Sequence, residues 1–96
     1  MISAIATLKV APGKNAEFEA IFIELQKKVR GNEPGVLLYQ LTRSREDPQT
    51  YRVLEIYKDA EAQKAHGATD YLRELGAKMG PCMAARMVVE LLDPVG

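Results

Sequence analysis

One histidine, one cysteine and four tyrosines bound the side-chain chemistry open to this chain of 96 residues. His66 is the only imidazole. With an unperturbed pKa of about 6.5, such a group can accept a proton or serve as a hydrogen-bond partner at neutral pH. Glu55 lies between Val53 and Tyr57 in the run Tyr51 to Lys58, and alternation along a strand puts that carboxylate on a face of Val and Tyr side chains. A buried, unpaired carboxylate costs several kcal/mol, on the order of 3 to 5. Glu55 is therefore expected to orient His66, to accept from a tyrosine, or to pair with Arg86. Tyr39, Tyr57 and Tyr71 are candidates to stack on, or hydrogen-bond to, an aromatic ring. Met79, Met83 and Met87 would give a soft wall to an apolar ligand.

Each of these residues also has a plainer use. His66 would serve equally as a core or cap histidine, the tyrosines as core or interface packing, and the methionines as filler. Cys82 has no second histidine near it in sequence and reads as a packing residue. One histidine and one cysteine cannot furnish an ordinary zinc site, so no metal is expected. Gly13, Gly31 and Gly35 are isolated turn glycines, not a phosphate loop, and no serine sits in a nucleophile elbow.

Thirteen basic and thirteen acidic residues cancel and are interspersed. Nothing forms the basic field that nucleic acid requires. No apolar run approaches the length of a membrane span of about 18 residues, and the opening Ile2-Ser3-Ala4-Ile5 has no charged leader region. A lone cysteine fits a reducing compartment. The expectation is a cytoplasmic protein that contacts neither membrane nor nucleic acid.

The elements that must position these groups follow from periodicity. Residues 2–10 read as a strand with Ile2, Ala4, Ala6, Leu8 and Val10 on one face, ended by Pro12-Gly13. From Lys14 to about Arg30, Phe18, Ile21, Phe22, Leu25 and Val29 form a helical stripe, and Gly31-Asn32 is expected to stop it. Glu33-Pro34-Gly35 is a turn. Val36–Arg43 is a second strand, with Val36, Leu38, Gln40 and Thr42 opposite Leu37, Tyr39, Leu41 and Arg43. A loop at 44–49 leads to a third strand from Thr50 to Lys58. Asp59 is placed to cap a helix from Ala60 to His66. Thr69-Asp70 would cap another from Tyr71 to about Met79, with Gly80-Pro81 as its breaker. Met83–Leu92 reads as a fourth strand, Met87, Val89 and Leu91 facing away from Arg86, Val88, Glu90 and Leu92.

The order is β-α-β-β-α-β, an α+β ferredoxin-like unit with a four-stranded antiparallel sheet and both helical layers on one face. The other face has nothing in the chain to cover it, which would leave Leu, Val and Tyr side chains in water. A second copy packed sheet to sheet is the simplest remedy, so a homodimer is expected.

The run Glu33-Pro34-Gly35-Val36-Leu37-Leu38-Tyr39, then Tyr51 to Tyr57 with Glu55, then Lys58-Asp59, Ala62 and Ala65-His66, resembles the antibiotic biosynthesis monooxygenase family. Residues 5–14 and 91–94 fit as well, so the likeness spans nearly the whole chain. The resemblance implies a dimeric α/β barrel, with cofactor-independent oxidation of quinols or polyphenols in some members and haem degradation in others. The haem branch uses an asparagine on the first strand, a tryptophan on the second helical segment and a histidine about ten residues beyond it. Aligned here, those positions are Ala6, His66 and Gly76, and the chain has no tryptophan. Glycine cannot ligate iron, which argues against haem chemistry.

The reading that follows is a monooxygenase acting with O2 and no tight cofactor on a small hydroxylated aromatic or quinol-like substrate. His66 would be proton acceptor and Glu55 its support, with Tyr39, Tyr57, Tyr71 and Arg86 against the substrate. Two rivals use the same residues. One is an isomerase or hydrolytic enzyme on a small carbonyl compound; the other is a dimeric, non-catalytic ligand-binding module.

Overall fold

The computed structural model describes residues 1–96. The chain runs β1 (Ile2–Lys9), α1 (Asn15–Asn32), β2 (Val36–Arg43), β3 (Thr50–Tyr57), α2 (Ala60–Gly67), α3 (Asp70–Met79), a 3-10 turn (Gly80–Cys82) and β4 (Val88–Leu92). The four strands form one antiparallel sheet in the order β2-β3-β1-β4. This is the expected ferredoxin-like α+β arrangement.

The even residues of β1 do face inward: Ala4, Ala6, Leu8 and then Val10 are buried. They meet Phe18, Phe22, Leu25 and Val29 of α1, together with Tyr51 and Val53 of β3. Burying a side chain of this size is worth about 1.5 to 3 kcal/mol, so the stripe on α1 is what docks that helix. The same helix also satisfies the edge strand β2. Buried Gln26 accepts the Leu41 amide at 2.5 Å, and Arg30 Nη2 donates to the Tyr39 carbonyl at 3.0 Å. A backbone edge that would otherwise be open is thereby tied to the helix.

Four local expectations are corrected. Gly31-Asn32 does not stop α1, which continues through both residues; Asn32 Nδ2 donates to the Lys28 carbonyl at 2.8 Å, supplying a partner that the helix end lacks. A bulge between Val36 and Leu38 makes Leu37 the extra residue of β2. Val36 therefore pairs with Tyr57 and packs on the core beside Tyr39, instead of sharing a face with Leu38. Thr69 stands at the α3 N-cap position without a side-chain cap bond; its hydroxyl donates back to the His66 carbonyl at 3.0 Å. The fourth strand begins only at Val88. Met83 makes one bridge to Val10 and the Ala84 amide donates to the Lys9 carbonyl at 2.8 Å, and the chain bends through residues 84–87 before ladder pairing with β1 resumes. That bend breaks the alternation assumed for Arg86 and Met87.

Both helical layers cover the same side of the sheet. The opposite side presents Ile5, Leu38, Leu54, Ile56, Val88 and Leu92, whose strand partners place them on one surface. Leu38, Leu54, Val88 and Leu92 are all exposed. No helix is long and apolar enough to cross a membrane.

Candidate active site

Glu55 and Tyr57 leave β3 on its helix-facing side, as period-two alternation requires. Tyr57 is buried, and its hydroxyl donates to Glu55 Oε1. Immediately beyond the strand, Asp59 turns the chain into α2 by accepting the Ala62 amide at 2.8 Å. One turn after Ala62, His66 points inward and is only 7% exposed. Its ring lies 5.0 Å from that of Tyr39 and 5.7 Å from that of Tyr57, centroid to centroid.

The carboxylate hydrogen-bonded to this imidazole is Glu33. His66 Nδ1 lies 3.0 Å from Glu33 Oε1 and 3.3 Å from Oε2, and the Tyr71 hydroxyl donates to Oε2. Glu33 is carried there by the turn between α1 and β2. The turn is seated on α2 because Gly35 lies against Ala62, and Lys58 N–H donates to the Gly35 carbonyl at 2.9 Å.

A cleft of about 530 Å3 opens between sheet and helices. Thirteen of its twenty lining residues are hydrophobic, and the polar groups converge from several elements: Tyr39 from β2, Glu55 and Tyr57 from β3, Gln63 and His66 from α2, and Arg86 from the bend before β4. The volume lies in the range of ordinary small-molecule sites, about 300 to 1,000 Å3, and an apolar wall with a few convergent polar atoms is their usual make-up. Met79, Met83 and Met87 do form part of the wall.

Several polar groups of the lining are left free to meet a ligand, among them Glu55 Oε2 and the Gln63 and Arg86 side chains, which have no protein hydrogen bond. His66 uses only Nδ1 within the protein, and the Tyr39 hydroxyl has no protein partner. Since no fully buried side-chain nitrogen or oxygen lacks a partner, His66 Nε2 and the Tyr39 hydroxyl each keep some accessible surface, and both residues line the cleft.

The electrostatics divide the labour among these groups. Burial pushes the Glu55 carboxyl up, while the Tyr57 hydrogen bond and the His66 charge pull it down; burial wins. Burial also holds the Tyr39 and Tyr57 phenols far above the ordinary tyrosine range, and the Glu55 hydrogen bond and charge add to this at Tyr57. Tyr71 is pushed up to about 12 by burial and then by Glu33. All three tyrosines stay protonated at neutral pH, and Tyr57 and Tyr71 act as donors.

The structure thus gathers His66, Glu55, Tyr39, Tyr57 and Arg86 around one cleft. Tyr71 stands outside the lining and reaches the site only through Glu33. Glu55 hydrogen-bonds neither His66 nor Arg86; its partner is Tyr57. Sequence reasoning missed Glu33, which it read only as part of a turn. The available signal was a carboxylate directly before Pro34-Gly35, a rigid turn that aims a side chain. Ala6, His66 and Gly76, the positions aligned with the haem branch, all border the cleft.

A split β-α-β-β-α-β sheet with an inward histidine in an apolar cleft defines a class of small ferredoxin-like domains with a ligand-sized cavity. Within that class, the chain belongs to the antibiotic biosynthesis monooxygenase family, whose model matches residues 1–78. It is similar to a crystal structure from Caulobacter crescentus CB15 that carries the same family name. That likeness has a TM-score of 0.96 at 54% identity and covers 99% of this chain and 90% of the other. An antibiotic biosynthesis monooxygenase structure at 27% identity has a TM-score of 0.92 and covers 100% of both chains. A Nitrosomonas europaea structure at 21% identity has a TM-score of 0.90, covers 100% of both chains, and attests to the fold. No curated protein matches the chain.

Proposed function

We propose that the chain is a cofactor-independent monooxygenase that oxidises a small hydroxylated aromatic or quinol with O2, working as a homodimer in the cytoplasm. The observation that carries this reading is the pairing of a free imidazole nitrogen with a phenolic donor, His66 Nε2 and Tyr39 Oη, in an apolar cleft of about 530 Å3.

A phenol gives up an electron to O2 readily only as its anion. His66 Nε2 takes the substrate's hydroxyl proton, and the Tyr39 hydroxyl hydrogen-bonds the resulting oxyanion. The apolar wall keeps water from the ring while it reacts. Arg86, at the open margin of the cleft, suits an electron-rich or anionic substituent. Glu55, held by Tyr57, faces the same space and borders the ring. The balance closes without an outside reductant: the ring gains one oxygen atom and loses two hydrogens, which leave with the second oxygen atom as water. The uncovered sheet face supports the dimer, since apolar patches of this kind are rarely left in water.

The test is oxygen uptake with simple hydroquinols, followed together with product formation under air and under argon. Oxygen-dependent turnover that His66→Ala abolishes supports the reading. Turnover equal under argon would assign the site to a proton-shuttling isomerase or hydrolase instead.

A further inference from the structure

We infer that Glu33, held in place by Tyr71, is a positioning residue that locks His66 in the Nδ1–H tautomer and so leaves the Nε2 lone pair facing the cleft. This rests on the reading of His66 as the proton acceptor, but its geometry stands apart from any reaction.

Three features of the pair lead there. The first is donor arithmetic. An ionised carboxylate only accepts, and Glu33 lies 3.0 Å from His66 Nδ1, so that nitrogen must carry the hydrogen. The neutral ring holds one hydrogen, so Nε2 is bare. The second is burial: the two side chains are 9% and 11% exposed, and in such surroundings hydrogen bonds hold orientation more strongly than in water. The third is that Glu33 is itself fixed. The Tyr71 hydroxyl occupies Oε2, and Gly35 presses the carrying turn onto α2.

The consequence for a proton transfer is specific. A substrate hydroxyl's proton moves to Nε2, the Nδ1 hydrogen stays against Glu33, and the imidazolium so formed lies beside a carboxylate. The proton then returns from Nε2 to the departing oxygen, leaving the ring in its starting tautomer. In a bare imidazole the two tautomers interconvert freely, and the Nε2–H form would present a donor where an acceptor is needed. A carboxylate on the far nitrogen removes that ambiguity.

The chain has one histidine, so the imidazole nitrogen spectrum belongs to His66 alone. Nitrogen-15 NMR of the uncharged ring is expected to show Nδ1 protonated and Nε2 bare. In Glu33→Gln the side-chain amide can donate to Nδ1, which favours the Nε2–H tautomer. That variant should lose turnover by about 10²- to 10⁴-fold in kcat, with KM changed less than about twofold. Tyr71→Phe should keep the tautomer and lower kcat by about tenfold, the scale of one hydrogen bond to a charged group. A wild-type ring in the Nε2–H form overturns the inference, as does a Glu33→Gln variant with unchanged tautomer and full kcat. Should Glu33→Gln fail to fold, the wild-type spectrum and Tyr71→Phe decide the matter. The expected tautomers together with no oxygen-dependent turnover would sink the oxygenase reading and leave the positioning role intact.

Discussion

Gly35 lies so close to Ala62 that a Cβ on the glycine would stand 2.8 Å from the alanine Cβ. Contacts that short do not occur between real side chains, so the approach of the β2 turn to α2 depends on the missing methyl group. The contact seats Glu33, two residues before Gly35, beside His66, one turn after Ala62. A packing constraint thereby becomes a constraint on the candidate site.

Gly35→Ala is expected to destabilise the fold by about 1 to 3 kcal/mol through overpacking. For a domain of this size each kcal/mol lowers Tm by about 4 to 8 °C. Ala62→Gly in the same chain should restore part of the loss, because it removes the opposing carbon. Thermal unfolding of the two single variants and the pair tests this; a loss that Ala62→Gly leaves untouched would show that the contact is not the cause.

His66→Ala should lower oxygen-dependent oxidation of a hydroquinol by about 10²- to 10⁴-fold, the usual share of a general base. Tyr39→Phe removes only a hydrogen-bond donor, and a loss of about tenfold is expected. An oxygen electrode gives both numbers. Equal losses in the two variants would contradict the division of roles between base and donor.

Glu55 supplies a pH test. Burial raises its folded pKa above the ordinary glutamate value. The sign follows from linkage: a raised folded pKa contributes stability that is present below the unfolded pKa and is lost as pH rises through the folded one. Glu55→Gln keeps an acceptor for Tyr57 but no longer titrates. It should gain stability over the wild type near pH 7 and lose that advantage near pH 4. Denaturant midpoints at the two pH values decide it, and an advantage that does not change with pH would be evidence against a buried, strained carboxylate.

The tyrosines predict alkaline behaviour. Tyr71 is pushed up to about 12, and Tyr39 and Tyr57 are raised further. With folded values above the unfolded one of about 10, stability is intact below pH 10 and falls as pH climbs above it. Phenolate absorbance should therefore rise together with unfolding, and Tyr71→Phe should flatten the fall between pH 10 and 12. Early, independent ionisation of these phenols in the folded protein would count against their burial.

The open sheet face is expected to hold a second copy. Leu54 and Leu92 both lie on it and are exposed in the single chain. Sedimentation velocity should show a dimer, and Leu54→Asp with Leu92→Asp should shift it to monomer with a lower Tm. A wild-type protein that sediments as a monomer at all accessible concentrations would remove the proposal.

The elements were legible in the sequence because each rests on a local period or a local cap. The stripe Phe18, Phe22, Leu25 and Val29 marks α1, the even residues of β1 mark its buried face, and Asp59 marks the start of α2 through a bond spanning three residues. The same alternation placed Glu55 with Val53 and Tyr57, and the spacing from Asp59 placed His66 within α2. Local rules also explain the failures. A bulge at Leu37 and the bend at 84–87 insert residues that a fixed period cannot anticipate, and they moved Val36 and Arg86 to the other side.

What the amino-acid order determined by itself is the series of elements, the buried face of β1, and the supply of one titratable ring near neutrality. Which carboxylate meets that ring was decided by tertiary structure alone. Glu33 is 33 residues from His66 and Glu55 only 11, yet the nearer acid turned to Tyr57 and the distant one reached Nδ1. A hydrogen bond depends on distances within a few tenths of an ångström, and those are set by how one turn packs against one helix, not by separation along the chain.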